Sequence, residues 1–110
     1  MRALERPLAW LHGEVKSPPF SNEGRVRTGY LLRSLQQGDV LSLPDSRPMP
    51  GIGKGCHELR VPDGNVDWRI FYAVRTDAIV ILGVEKKRTQ RTPKAVIVAC
   101  ARRLAAWDRE

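Results

Sequence analysis

Cysteine and histidine are scarce, with two of each in 110 residues. Cys56 and Cys100 stand far apart, outside any C-x-x-C pattern and away from any histidine cluster. That spacing argues against a disulfide framework or a structural zinc site and predicts two reduced thiols. His12 and His57 cannot be argued into a catalytic histidine pair: one sits alone, and the other shares a strand face with Leu59 and Val61, where a half-buried, hydrogen-bonded role is expected. No D-x-D, H-E-x-x-H or P-loop pattern is present, so no metal or other cofactor is expected. Gly51-Ile52-Gly53-Lys54-Gly55 is glycine-rich but follows a proline-rich loop and precedes a strand, the wrong setting for a phosphate-binding turn. No apolar run approaches a membrane span and the N-terminus lacks the apolar stretch of a signal peptide, so a cytoplasmic protein without a membrane partner is expected. Acidic residues are also few: 12 Asp and Glu face 19 Lys and Arg, for a net charge of +7 and a pI near 10.1. Such a surplus favours an anionic partner, either nucleic acid or an acidic protein.

What is present reads as one domain spanning 1–110, with 42% hydrophobic and 28% charged residues. Leu8-Ala9-Trp10-Leu11 suits a short first strand, and Pro18-Pro19 excludes helix in the loop that follows. Ser21 to Gln37 has the marks of a helix, with Ser21 to cap it, Glu23 in the first turn and Gly38 to end it. Its helical period places Gly24, Thr28, Leu31, Leu32 and Leu35 on one inward face, with Val26 and Tyr30 outside among arginines. Residues 38–55, rich in glycine and proline, read as a long loop. Cys56–Val61 alternates as a strand, Pro62-Asp63-Gly64-Asn65 is a turn signal, and Asp67–Arg75 returns as its hairpin partner. Ala78–Val84 is apolar on both faces and should be a central strand covered by helix. A last helix from Pro93 to about Trp107 carries Val96, Cys100, Leu104 and Trp107 on one stripe. The expected fold is therefore α+β in the order β-α-β-β-β-α: a small, twisted, mostly antiparallel sheet with helices packed on it.

The segment joining the central strand to the last helix, Glu85-Lys86-Lys87-Arg88-Thr89-Gln90-Arg91-Thr92-Pro93-Lys94, is half basic. Thr92-Pro93 reads as a helix start, with threonine as cap and proline at the first helical position. Cations gathered before a helix N-terminus can bind phosphate, although a solvated basic loop has the same composition. The sheet should bring Arg60, Arg69, Lys87 and Arg88 together, with Glu58 and Tyr72 near them in sequence. RNA cleavage without a metal requires deprotonation of the 2′-OH, neutralisation of a pentacovalent phosphorane and protonation of the departing 5′-oxygen. Arginine and lysine can meet the second requirement. Glu58 as base and Tyr72 or a lysine as acid could meet the others. An ordinary cross-strand ion pair between Glu58 and Arg60 or Arg69 fits the same residues.

The run Ser46-Arg47-Pro48-Met49-Pro50-Gly51-Ile52-Gly53, followed by His57-Glu58-Leu59-Arg60, Trp68-Arg69-Ile70-Phe71-Tyr72 and Lys87-Arg88-Thr89-Gln90-Arg91-Thr92-Pro93, resembles the phage-derived Gp49-like branch of the RelE/ParE toxin superfamily. That branch includes HigB-type toxins of type II toxin–antitoxin modules. The resemblance implies the RelE-like fold and a ribosome-dependent, metal-independent endoribonuclease, an mRNA interferase that inhibits translation. It implies as partners an antitoxin of helix-turn-helix type, the ribosome and mRNA. Arg60 and Arg69 would match the family's phosphate-facing arginines, with Lys87 and Arg88 as its basic pair. Lys54, Lys86, Thr89, Gln90, Arg91 and Lys94 would contact RNA. Arg88 replaces the usual second lysine, keeping the charge but changing the donor geometry. Glu85 replaces the aromatic residue usual before the basic pair. Rival readings are a ParE-like DNA gyrase poison and a degenerate toxin that serves only as a binding module.

Overall fold

The computed structural model describes residues 5–110; residues 1–4 of the expected domain lie outside the described residues. The elements are β1 (Leu8–Trp10), α1 (Asn22–Gln36), β2 (Ser46–Pro48), β3 (Cys56–Asp63), β4 (Val66–Val74), β5 (Ile79–Lys86) and α2 (Lys94–Asp108). They form one five-stranded sheet in the order β1-β5-β4-β3-β2. Only β1, lying parallel to β5, breaks the antiparallel pattern. The expected α+β order holds, with β2 added at the sheet's edge. Three residues between prolines carry too little alternation to reveal a strand.

Helix α1 forms as its sequence dictates. The Ser21 side chain accepts a hydrogen bond from the Gly24 N–H, and the buried residues are Gly24, Thr28, Leu31, Leu32 and Leu35, the expected inward face. Gly24 is required by a close approach: a Cβ there would stand 2.5 Å from the Asp63 carboxyl carbon. The Asp63 carboxylate in turn accepts from the Ser21 N–H and hydroxyl and from Trp68 Nε1, tying the helix start to the β3–β4 hairpin. That hairpin turns through Gly64-Asn65 with φ +62° at Gly64 alone, the type II′ pattern that suits right-handed strand twist. Pro62 and Asp63, expected in the turn, extend β3 instead. β2 reaches β3 only as far as Leu59, so Pro62 interrupts no ladder on that side.

The sheet divides the core in two. Leu59, Val61, Trp68, Ile70, Tyr72, Ile79 and Ile81 face α1 and its leucines. Cys56, Phe71, Ala73, Val80 and Leu82 face Cys100 and Leu104 of α2. Val96 and Trp107, the ends of the expected α2 stripe, are half-buried against this second cluster. A register shift opposite Phe71/Tyr72 lets Phe71 pair with Gly83 and Tyr72 with Ile81. Beyond it, Arg69 pairs with Glu85 on the α2 side of the sheet.

Candidate phosphate-binding site

Strand register determines which charged side chains meet. Arg47 of β2 pairs with Glu58 of β3, and Arg60 of β3 pairs with Arg69 of β4. With the two-residue period of a strand, all four side chains fall on the α2 face. Lys87 to Pro93 then cross over that face between β5 and α2. They cover the charged cluster and leave its cations at the rim.

Glu58 is the hub. It is fully buried, and its Oε1 lies 3.1 Å from Arg47 Nε and 3.6 Å from Arg60 Nε. Its Oε2 lies 3.2 Å from Arg69 Nε and accepts a hydrogen bond from the Thr92 hydroxyl at 3.2 Å. Burial on this scale is tolerated for a carboxylate because several donors surround it. Arg69 is 3% exposed, and its Nη2 donates to the carbonyls of Thr89 and Gln90, both at 2.9 Å. Arg69 therefore pins the crossing loop from below. Its Nε is close enough to Glu58 for an ion pair but lacks hydrogen-bond geometry, and it has no hydrogen-bond partner among the described residues.

Beside this buried layer, at the end of the sheet near the β3–β4 turn, is a cleft of about 210 Å³ lined by Arg60, Asp67, Arg69 and Lys87 together with Pro44, Val61, Pro62 and Trp68. Lys87 is held there by its backbone N–H, which donates to the Asp67 carbonyl at 2.8 Å. A second, narrower cleft adjoins it at Arg69 and is lined by Glu85, Lys86, Arg88, Thr89 and Thr92. Lys86, Arg88 and Arg91 are exposed, as is Lys94 at the first turn of α2. Among the described residues, none of these cations nor Lys87 forms an ion pair. The rim thus gathers five cations outside any ion pair against the two carboxylates, Asp67 and Glu85, that line the two clefts, a net positive charge suited to phosphate.

The expected grouping is changed at four points. Tyr72 lies on the opposite face, 1% exposed, with its hydroxyl 2.7 Å from Ser46 Oγ and its ring stacked on His57. Burial pushes its phenol above the ordinary value, only partly offset by the Ser46 hydrogen bond. Its position separates it from Glu58 and the arginines, and Glu58 itself is sealed from solvent beneath them. Neither is placed to exchange a proton with a substrate in the cleft. Thr92 does not cap α2: the cap residue is Pro93, without a side-chain bond, and the threonine hydroxyl is given to Glu58. Lys54 is not part of the group either. It precedes β3 at the end where Cys56 pairs with Ala73, four residues or about 13 Å along the strand from the Arg60–Arg69 pair.

Arg47 and Asp67 belong to the site but were not singled out from the sequence. Asp67 opens β4 beside a turn, where a carboxylate is commonplace. Arg47 stands in a stretch without periodicity, and only its pairing with Glu58 reveals it. Cys56 and Cys100 are buried, and burial pushes both thiols up to about 11, which leaves no reactive thiolate at neutral pH. No group among the described residues could hold a metal ion, and no described helix is long and apolar enough to cross a membrane.

Two comparisons place the chain. Over 78 residues, 70% of its length, it is 33% identical to a protein named Omega-amidase YafV from Yersinia enterocolitica. The match covers 27% of that protein, so the chain spans about a quarter of the relative's length and the relative's name describes a much larger molecule. The family profile described as Phage derived protein Gp49-like (DUF891) matches residues 19–105, which include α1, all the strands of the charged cluster and nearly all of α2. The chain belongs to this phage-derived Gp49-like family, a family of RelE/HigB-type toxins from toxin–antitoxin modules.

Proposed function

We propose that the protein is a ribosome-dependent mRNA endonuclease whose cognate antitoxin restrains it, and that cleavage occurs over the cleft between Arg60 and Lys87. The observation that carries this reading is the net basic rim around a cleft of about 210 Å³, with Arg69 of the buried charged layer among its lining residues. Arg60 and Lys87 would neutralise the phosphorane formed when the 2′-oxygen attacks the adjacent phosphate. Lys86, Arg88, Arg91 and Lys94 would hold flanking phosphates of mRNA or ribosomal RNA, with Thr89 and Gln90 as polar contacts. Glu58 and Arg69 would serve as positioning residues rather than as groups that touch RNA. Proton transfer is assigned to Asp67, as acceptor from the 2′-OH, and Lys87, as donor to the departing 5′-oxygen. These are the non-guanidinium titratable side chains that line the cleft.

An amidase activity, suggested by the name of the relative, has less support here. The match covers only 27% of that protein, and both thiols of this chain are buried, away from the cleft.

The test is brief induction in a bacterium, with new mRNA 5′ ends mapped by primer extension beside a control in which ribosomes are kept off the message. Cuts inside reading frames that vanish in the control are the expected result. Intact mRNA with damaged or over-supercoiled chromosomal DNA would replace this reading with that of a gyrase poison. No effect on either would leave a binding module.

A further inference from the structure

The buried base of the site is short of negative charge. Glu58 alone forms ion pairs with three guanidiniums, those of Arg47, Arg60 and Arg69, so two positive charges are unmet by any acidic side chain in contact. Arg69 is buried with its Nε unpartnered, and its Nη2 is already occupied by the Thr89 and Gln90 carbonyls. Arg47 and Arg60 are in a different condition. Each rests its Nε against Glu58 Oε1, at 3.1 and 3.6 Å, and their side chains are 36% and 35% exposed. Among the described residues, neither has an Nη atom in a hydrogen bond to protein, so two arginine forks flank one carboxylate oxygen with their outer donors free. Guanidinium forks match phosphate oxygens closely, and two of them aimed from one anchor can hold a single phosphodiester from two sides.

We infer that Arg47 is a phosphate-contacting residue, supplied by the edge strand β2, which binds one RNA backbone phosphate jointly with Arg60, and that Glu58 is the positioning residue that aims both. This rests on the RNA reading given above and extends it: the binding surface runs past the cleft across β3 to β2. An incoming phosphate supplies the charge that the cluster lacks. The edge strand, which otherwise only closes the sheet, then carries part of the binding track.

The test uses the full chain and a short fluorescent 2′-O-methyl oligoribonucleotide, which cannot be cleaved, with affinity measured by anisotropy across a salt series. Each phosphate contact on a single strand contributes about 0.7 to the slope of log affinity against log salt. R47Q and R60Q should each weaken binding several-fold at low salt and each lower that slope, and because they share one phosphate the double variant should lower it by about 0.7 in all. R102Q, which removes an exposed arginine from α2, should leave both unchanged. If R47Q keeps wild-type affinity and slope while R60Q loses both, Arg47 is only a brace and the inference falls. If R47Q, R60Q and K87Q all keep the wild-type slope, the RNA reading of the cleft fails with it.

E58Q separates positioning from simple charge. Removing a negative charge near a basic site should tighten RNA binding if Glu58 acts electrostatically, and should weaken it if Glu58 aims the forks. If E58Q does not fold, R47K decides the point. Its ammonium cannot engage Glu58 and a phosphate as a fork does, so a positioned fork predicts affinity as weak as that of R47Q. Wild-type affinity in R47K would reduce Arg47 to a point charge and overturn the positioning role.

Discussion

Replacing Arg69 with Ala removes a guanidinium that is 3% exposed, lies 3.2 Å from a fully buried carboxylate and holds two loop carbonyls at 2.9 Å. Breaking a buried ion pair by deleting one partner costs about 3–5 kcal/mol, because the remaining charge stays buried. Two features of this site move the expectation to the lower end. Glu58 keeps Arg47, Arg60 and the Thr92 hydroxyl, so its charge is not left alone. Thr89 and Gln90 are exposed, so water can take over their carbonyls once Arg69 is gone. The expected loss is therefore about 3 kcal/mol, a large part of the roughly 5–15 kcal/mol typical of a domain. At this chain length it corresponds to a fall of about 12 °C in Tm. Thermal denaturation followed by circular dichroism measures it, and hydrogen exchange should show the Lys87 amide, which donates to the Asp67 carbonyl, losing protection beyond the global change. RNA binding should also weaken, because the segment carrying Lys87, Arg88 and Arg91 is no longer pinned. An R69A variant with wild-type Tm and loop protection, but without activity, would refute this reasoning and return Arg69 to direct contact with RNA.

Three further outcomes follow from the structure. Y72F should retain RNA cleavage and toxicity while losing about 1–2 kcal/mol in urea denaturation, since it strands the buried Ser46 hydroxyl rather than a catalytic acid; loss of cleavage at unchanged stability would contradict this. Cys56 and Cys100, with thiols pushed up to about 11, should resist a disulfide reagent at pH 8 in the folded protein and both react once it is denatured; rapid labelling of the native protein would contradict their burial. The Ser21 hydroxyl and backbone N–H, followed by Trp68 Nε1, hold the Asp63 carboxyl below its ordinary 3.8 against the opposing effect of burial. Because the folded value lies below the unfolded one, this stabilisation is complete above about pH 4 and is lost as pH falls through the folded value. The stability difference between wild type and D63N should accordingly shrink on acidification below pH 4, and a difference independent of pH would count against the Asp63 tie.

How much of this was legible depended on periodicity. The inward face of α1 could be read completely, because a 3.6-residue pattern over four turns is redundant and the α1 side of the sheet is apolar as the pattern requires. The β3–β4 hairpin and the doubly buried β5 were legible for the same reason. Strand β2 was not: three residues beside Pro48 have no pattern to repeat, and they become a strand because β3 offers an open edge. The separation of Tyr72 from the arginines is itself legible in the sequence, since Arg69 and Tyr72 are an odd number of residues apart on one strand and must face opposite sides. Thr92-Pro93 carries a true local helix-start signal, but a buried carboxylate in need of a donor competes for the same hydroxyl and takes it.

The sequence by itself determined the fold class, the two amphipathic helices, the hairpin and the concentration of positive charge after β5, because each is written in a local period or a local composition. It also carried the resemblance to the toxin family, through short strings in the right order. What only the tertiary structure decided is the division of labour among the charged residues. Arg60 and Arg69 read alike along the chain, yet register and the crossing loop bury one as a pin and leave the other at the rim of the cleft. Glu58 reads as a candidate base and becomes the buried anchor of three arginines, since cross-strand neighbours are set by register over distances at which no local signal survives.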